Sequence, residues 1–521
     1  MVVKILSSAI LGLEAQAVTI EIVVINGLPQ FSIVGLPGAE IKEAKERVYA
    51  AIKASGFKFP QLRKIINLSP ANVPKHSTCY DLGIAYGLLK AAGEVKLPSI
   101  ILDTKDTLIL GELSLDGGVK PVSGVISSVI MAKDQGLSQV IVPIKNLEEA
   151  SLVEGIEILG VESLKDLVEM KFQKPKRKNS KSESTSYEQI PEVDFSDIKG
   201  QVFAKRALEI AAAGGHNVAF TGPPGSGKSL LAKAFSGILP PLTFDEALEV
   251  TKIYSVANLT QDTSSKNSSQ FVAMRPFRTV HHSASKISIL GGGKKGIPGE
   301  ISLAHNGVLF MDELAEFPRA TLESLRQPLE ENSITISRLN ARFTYPANFI
   351  FLSAWNPCPC GFNGDEKKEC MCSGAEIRRY QKKISGPLLD RIDLTVNVPR
   401  VETDKLINIQ KAETSKAIRQ RVIKARQIQQ NRFAILNSPL DNMMTKSIIT
   451  NSQMTSAQVD TYCLLAPSQK QILRSAIESY HLSARAYFRI LKIARTIADL
   501  DNSGAIQDSH ILEALQFKEG H

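Results

Sequence analysis

The sequence predicts an α/β protein in three parts: an N-terminal α/β unit, a central phosphate-binding α/β unit and a helical C-terminal part. Three observations carry that expectation. Strand-like and helix-like segments alternate up to about Val398. A glycine-rich loop lies between a short apolar strand and a helix at residues 222–229. From Gln469 onward, Tyr487, Ile490, Leu491, Ala494, Ile497 and Ala498 keep the spacing of one helix face. The length of 521 residues agrees, since ~150 residues per domain gives about three.

The chain is 43% hydrophobic and 22% charged, which excludes wholesale disorder and a fibrous repeat, and no internal repeat is visible. Lys+Arg 62 against Asp+Glu 53 leaves +9, a mild excess that permits a polyanionic partner without demanding one. No run approaches 18 apolar residues, so no transmembrane helix and no membrane partner are expected.

At the N-terminus, Lys4, the apolar run 5–13 and Ala15-Gln16-Ala17 have the outline of an export signal. Two serines sit inside the run, Glu14 interrupts it, and it continues into a good strand at 18–25. A folded strand pair is the better expectation, which places the protein in a bacterial cytoplasm. Further elements of this unit are helices at 41–55 and 81–92 and a strand at 139–143. Residues 1–170 form the first domain. A linker follows at 171–195, where Lys171, Lys174, Lys176, Arg177, Lys178 and Lys181 precede a Ser-rich stretch. It is a charged tether, with a DNA-contacting arm as the alternative. The central domain then spans 196–400 and the helical part 401–521, in which 405–432 is polar, basic and rich in helix formers.

Gly222, Pro223, Pro224, Gly225, Ser226, Gly227, Lys228 and Ser229 match the phosphate-loop pattern. A strand at 217–220 precedes them and a helix at 230–235 follows. The glycines let backbone N–H groups wrap a phosphate, and the helix N-terminus adds its dipole. Lys228 is expected to neutralise the β and γ phosphates of ATP, and Ser229 to ligate Mg²⁺. An apolar strand at 308–311 ends in Asp312 and Glu313 and is expected to neighbour the loop strand; Asp312 suits Mg²⁺ and Glu313 the attacking water. A third strand, 348–353, ends at Ala354-Trp355-Asn356, a polar tip able to reach the γ-phosphate. Loop, acid pair and polar tip are the arrangement of AAA+ ATPases.

Longer motifs are more specific. Pro276-Phe-Arg-Thr-Val-His281-His282, Gly291-Gly-Gly293, Pro298-Gly-Glu-Ile-Ser-Leu-Ala-His305, Asn356-Pro-Cys-Pro-Cys-Gly361, Gly386-Pro-Leu-Leu-Asp-Arg391-Ile-Asp393 and Ser483-Ala-Arg485-Ala resemble the ComM (YifB) family of Mg-chelatase-like AAA+ ATPases over nearly the whole chain. The resemblance implies a homo-oligomeric ring, a hexamer, with ATP between subunits. It makes Arg391 the arginine finger and Arg485 the second sensor on a helical lid. A hairpin at 332–350, with strands at 333–337 and 343–350, and the insert at 291–296 would face the pore. Lys294, Lys295, Arg338 and Arg342 would then meet DNA phosphates, an ordinary solvated turn being the alternative.

The N-terminal domain resembles the Lon-protease-like (ribosomal-protein-S5-like) α/β domain that accompanies this family, through residues 110–121 and 140–143. A Lon protease needs a Ser/Lys dyad. Asp81 falls where the nucleophile would be and Ile126 where the lysine would be, so proteolysis is not expected. DNA binding or ring assembly is expected instead, with Lys64, Lys75 and His76 as loop candidates.

Of six cysteines, Cys79 and Cys463 read as isolated core residues, whereas Cys358, Cys360, Cys370 and Cys372 cluster right after Asn356. Such a set can close a tetrahedral site; structural Zn²⁺ is the preferred occupant, an iron–sulfur cluster or free thiols the alternatives. The leading functional expectation is an ATP-driven motor on branched or single-stranded DNA. By family likeness it is a branch-migration helicase of recombination and natural transformation, working alongside recombination proteins. The rival is a chelatase-type remodeller that drives metal insertion on a partner complex. A polypeptide-gripping ATPase is a third reading, disfavoured because the pore-loop candidates show glycine and lysine rather than aromatic residues.

Overall fold

The computed structural model describes residues 2–36, 38–73, 75, 77–95, 106–175, 192–259, 271–293, 296–337, 342–401, 412–434 and 449–517. It is a mixed α/β protein. Strand Val2–Leu11 pairs antiparallel along its length with Glu14–Ile25, so the apolar N-terminal run is a sheet element. Its alternation is that of a strand with one face inward: Val3 and Ile5 are buried, and Lys4 meets Glu21 on the other face. The seven-stranded sheet runs Gln30–Val34, Arg63–Ser69, Glu14–Ile25, Val2–Leu11, Thr107–Ile109, Gln139–Pro143, Glu157–Val161. Helices Ala39–Ala54, Asp81–Ala91 and Val125–Asp134 contribute Ile52, Leu82, Leu88 and Val129 to its core.

Asp81 opens its helix from a buried position and is gripped by Arg47, whose Nε lies 2.7 Å from Oδ2 and Nη2 3.1 Å from Oδ1. Ile126 is fully buried. Neither side chain is the serine or the lysine that a Ser/Lys dyad needs. The lysines named beside them are a different matter. Lys64 is an inward residue of strand Arg63–Ser69 and donates to the carbonyls of Pro60 and Leu62 at 2.8 and 2.7 Å. Lys75 is also buried and donates to the carbonyls of Gly35 and Pro70. Their ammonium groups are spent on backbone oxygens, which corrects the expectation that they face DNA. His76 lies outside the described residues.

The central sheet is five-stranded and wholly parallel, in the order Phe277–Val280, Val308–Met311, Ile350–Trp355, Val218–Thr221, Leu394–Asn397. The acid-bearing strand therefore does not adjoin the loop strand as expected; Ile350–Trp355 lies between them. The hairpin is present as Ser333–Ser337 against Arg342–Pro346. Its second strand stops at Pro346, which has no N–H to continue a ladder, and the next strand begins at Ile350 rather than 348.

The expected linker is narrower at both ends. Gln173 forms a bridge to Gly160, and Phe195 is fully buried in the core of the second sheet; residues 176–191 lie outside those described. Helices Ser415–Phe433, Pro467–Tyr480, Ala484–Leu500 and Asp508–Gln516 place Val422, Leu473, Ile490, Ile493 and Ile511 in that same core, against Phe220 and Leu394. The run of helical periodicity breaks at His481, which caps its helix with φ 49° in the left-handed region.

The N-terminal unit rests on the central one at two places. The Gly124 N–H donates to the Ser255 hydroxyl at 3.1 Å, at the end of helix Phe244–Val256, and Leu13 joins the apolar cluster that includes Phe343 of the hairpin. Among the described residues no helix is long and apolar enough to cross a membrane.

Burial raises the Asp81 pKa from 3.8 to about 6, with Arg47 pulling the other way. The folded state thus binds this proton more tightly than the unfolded chain does. The group's contribution is full at low pH and is lost as pH rises through about 6. Going from about pH 5 to about pH 7, the wild type should lose stability relative to Asp81→Asn, read by urea unfolding of both. An offset that is identical at the two pH values would refute this.

Candidate functional site

The phosphate loop links strand Val218–Thr221 to helix Lys228–Phe235. Gly222 holds φ 154°, and a Cβ there would stand 2.2 Å from the Val398 carbonyl oxygen, so no side chain fits. Nothing lies within 4 Å of where a Cβ would project from Gly225 or Gly227, so the space beside both is open. Gln201 braces the loop from outside, donating to the carbonyls of Ser226 at 3.3 Å and Pro399 at 2.7 Å.

Lys228 is 8% exposed. Its ammonium donates to the carbonyls of Gly222 and Pro223 at 2.8 and 2.9 Å and to Asn356 Oδ1 at 3.2 Å. Burial pushes its pKa below the ordinary lysine value, and Asp312 pulls the other way. The Ser229 hydroxyl donates to Asp312 Oδ2 at 2.6 Å, which brings together the two oxygen groups proposed for Mg²⁺. The Glu313 N–H donates to Asp312 Oδ1 at 2.9 Å, and Glu313 itself sits at φ 51°. The structure thus joins Lys228, Ser229, Asp312, Glu313 and Asn356 in one group, and the strand carrying Asn356 is the one between the loop and the acids.

One partner of this group escaped the motif reading. His282 follows strand Phe277–Val280, its Nδ1 is 3.1 Å from Glu313 Oε2, and its ring lies against His281 at 4.1 Å. The pair of histidines in the 276–282 motif was the available signal.

Arg391 and Arg485 are placed elsewhere. Both meet Glu330, on helix Arg326–Glu331: Arg391 through a direct ion pair and Arg485 at 3.8 Å, with 65% of the latter side chain exposed. The backbone around Arg391 is fixed. Asn217 donates to the Arg391 carbonyl at 2.9 Å, and buried Arg489 donates to the Ile392 carbonyl at 2.6 Å. An arginine on the apolar face of helix Ala484–Leu500 was the sequence signal for Arg489, and Glu330 had none. Arg342 is exposed at the start of its strand, while Lys294, Lys295 and Arg338 lie outside the described residues.

The sulfurs of Cys358, Cys360, Cys370 and Cys372 all lie within 4.8 Å of one another and could together hold a metal ion. None of the four is in a disulfide. The Asn363 N–H points at Cys358 Sγ from 3.3 Å, and the Phe362 N–H draws the Cys360 thiol down to about 6.

A parallel sheet with a phosphate loop, a strand-end acid pair and a polar tip on the strand between them is the core of an AAA+ P-loop protein. Family profiles agree: residues 194–406 match "Magnesium chelatase, subunit ChlI", 20–146 match "Subunit ChlI of Mg-chelatase" and 412–518 match its C-terminal part. Competence protein ComM of Haemophilus influenzae is 39% identical over 98% of this chain and 96% of its own length. YifB of Escherichia coli is 40% identical over 98% of this chain and 96% of its own length. Lon protease 2 of Bacillus subtilis is 29% identical over 130 residues, covering 25% of this chain and 22% of its own. The chain belongs to the ComM/YifB family of Mg-chelatase-like AAA+ proteins.

With His282→Ala the Glu313 carboxylate loses its only ring partner among the described contacts. Turnover of ATP should fall about tenfold, a fraction of what a positioned base contributes, while ATP affinity holds within about twofold. Steady-state kinetics beside equilibrium nucleotide binding separates the two; an affinity loss equal to the turnover loss would contradict this role.

Proposed function

We propose that the protein is a ring-forming ATPase that moves on DNA, acting on branched or single-stranded substrates during recombination and natural transformation. The observation that carries the ring is the separation of the arginines from the loop. Lys228, Ser229, Asp312, Glu313 and Asn356 gather around the phosphate position, whereas Arg391 and Arg485 meet at Glu330. A site built this way is completed when a second copy brings its arginines to the nucleotide.

Lys228 already has a cage of acceptors and exchanges some of them for phosphate oxygens when ATP binds. Mg²⁺, held by Ser229 and Asp312, would neutralise charge between the β and γ phosphates. Glu313 orients and deprotonates the attacking water, with His282 setting its direction. Asn356 bridges that water and the γ-phosphate. Arg391 of a second copy stabilises the charge that develops on the transferring group, a contribution of roughly 10³ to 10⁵ in turnover. The four cysteines hold a structural Zn²⁺ beside the site. Support for DNA as the track comes from the exposed Arg342 on the hairpin and from the name of the relative ComM. The chelatase-type reading draws on the descriptions of the matching profiles.

ATP hydrolysis with and without a synthetic four-way DNA junction, at low and high salt, tests the choice. The junction should stimulate turnover strongly, and the stimulation should fall steeply with salt as released counterions predict. Lys228→Ala should abolish turnover under every condition. Unchanged turnover together with no junction binding at low salt would overturn the DNA reading and favour a remodeller of a protein complex.

A further inference from the structure

We propose that the ion held by the four cysteines is a strut for the nucleotide site, so that the affinity for ATP depends on metal occupancy. The inference rests on the phosphate-loop reading above and adds a control to it.

The sulfurs have the spacing of one tetrahedral ion. Cys358 and Cys360 are 3.3 Å apart, Cys358 and Cys370 3.6 Å, and Cys360 and Cys370 3.5 Å. Zn–S bonds of ~2.3 Å in a tetrahedron put sulfurs ~3.8 Å apart, whereas a disulfide needs about 2 Å. A multi-iron cluster distributes its thiolates over different irons and spreads them further than a single ion does. One N–H already points at Cys358 Sγ, the kind of outer contact that steadies a metal thiolate.

What the ion holds is a stretch outside regular secondary structure. Residues 357–373 form no helix or strand, and Cys358 is the fully buried member of the ligand set. A structureless segment of that length inside a packed domain needs a staple of its own. This one is joined directly to the chemistry at two points. Cys358 lies two residues after Asn356, which contacts Lys228. Gly361, within the same turn, packs on the phosphate loop: a Cβ there would stand 2.6 Å from Pro224 Cδ and 3.8 Å from Asn356 Cγ. The middle of the segment is tied down by Arg400, which pairs with Asp365 at 2.9 Å and lies over the Phe362 ring. Closing Cys370 and Cys372 onto Cys358 and Cys360 therefore clamps the turn that presses on Pro224 and aims Asn356.

The experiment uses the full chain. Metal per chain is measured by elemental analysis, and the affinity for a fluorescent ADP is measured on the same samples. The double variant Cys370→Ser/Cys372→Ser removes the two ligands farther from Asn356 in sequence and should lose the metal and weaken nucleotide binding at least about tenfold, as losses around metal sites do. Wild type stripped by a chelator should show the same weakening, and added Zn²⁺ should restore it; this arm stands if the variant fails to fold. Lys228→Ala should lose nucleotide and keep the metal. About one zinc per wild-type chain with these shifts supports the strut. Wild type purified without metal and unable to take up Zn²⁺, or a metal-free protein that binds nucleotide as tightly as wild type, overturns it. A zinc-loaded wild type that binds no nucleotide overturns the ATP reading and the coupling with it, but not the metal site.

Discussion

Taking an ammonium group out of water is costly unless acceptors replace the lost hydration, and Lys228 is almost fully covered. Its acceptors come from separate places: two carbonyls of its own loop and the side chain of Asn356, at the end of a strand that begins well over a hundred residues later. That shared cation fixes where the tip of strand Ile350–Trp355 must stand. Asn356 reaches it because its strand, rather than the acid-bearing one, lies beside the loop in the sheet. The acids reach the same place from the next strand over through Asp312 and Ser229. The grouping of these side chains therefore depends on one buried charge and the strand order around it.

Glu330 plays the matching part at the other arginine-bearing surface. A single carboxylate receives both Arg391 and Arg485 within one chain, and Arg489 and Asn217 pin the backbone beside Arg391. Arg391 is held at its backbone, with its guanidinium paired to a carboxylate on a short helix. In a ring, leaving Glu330 for a neighbour's phosphates exchanges one charged partner for another, so the cost of desolvating the arginine has in large part already been met in the isolated chain.

The phosphate loop was legible because its chemistry is local: eight consecutive residues, an apolar strand before them and a helix after them. The acid pair and the tip at Asn356 were legible for the same reason, each closing an apolar run. Strand order was not, because pairing between segments far apart in sequence leaves no mark on either segment alone. Lys64 and Lys75 misled because their charge suggested a solvated loop, whereas Lys64 occupies an inward strand position and both donate to backbone carbonyls that composition cannot reveal. The cluster of cysteines was visible in sequence, but its contact with Pro224 depends on a glycine whose tight fit only the packing shows.

The two units of the chain also share apolar surface. Leu13, at the turn of the first strand pair, sits in the cluster that holds Phe343 and Ile336 of the hairpin, and the hydroxyl and carbonyl of Ser255 accept the Gly124 N–H. Cutting the protein between its sheets would uncover that seam on both fragments, leaving a sticky face on the isolated ATPase next to the very hairpin proposed to touch DNA. Studies of the isolated AAA+ part would then measure the behaviour of an exposed interior.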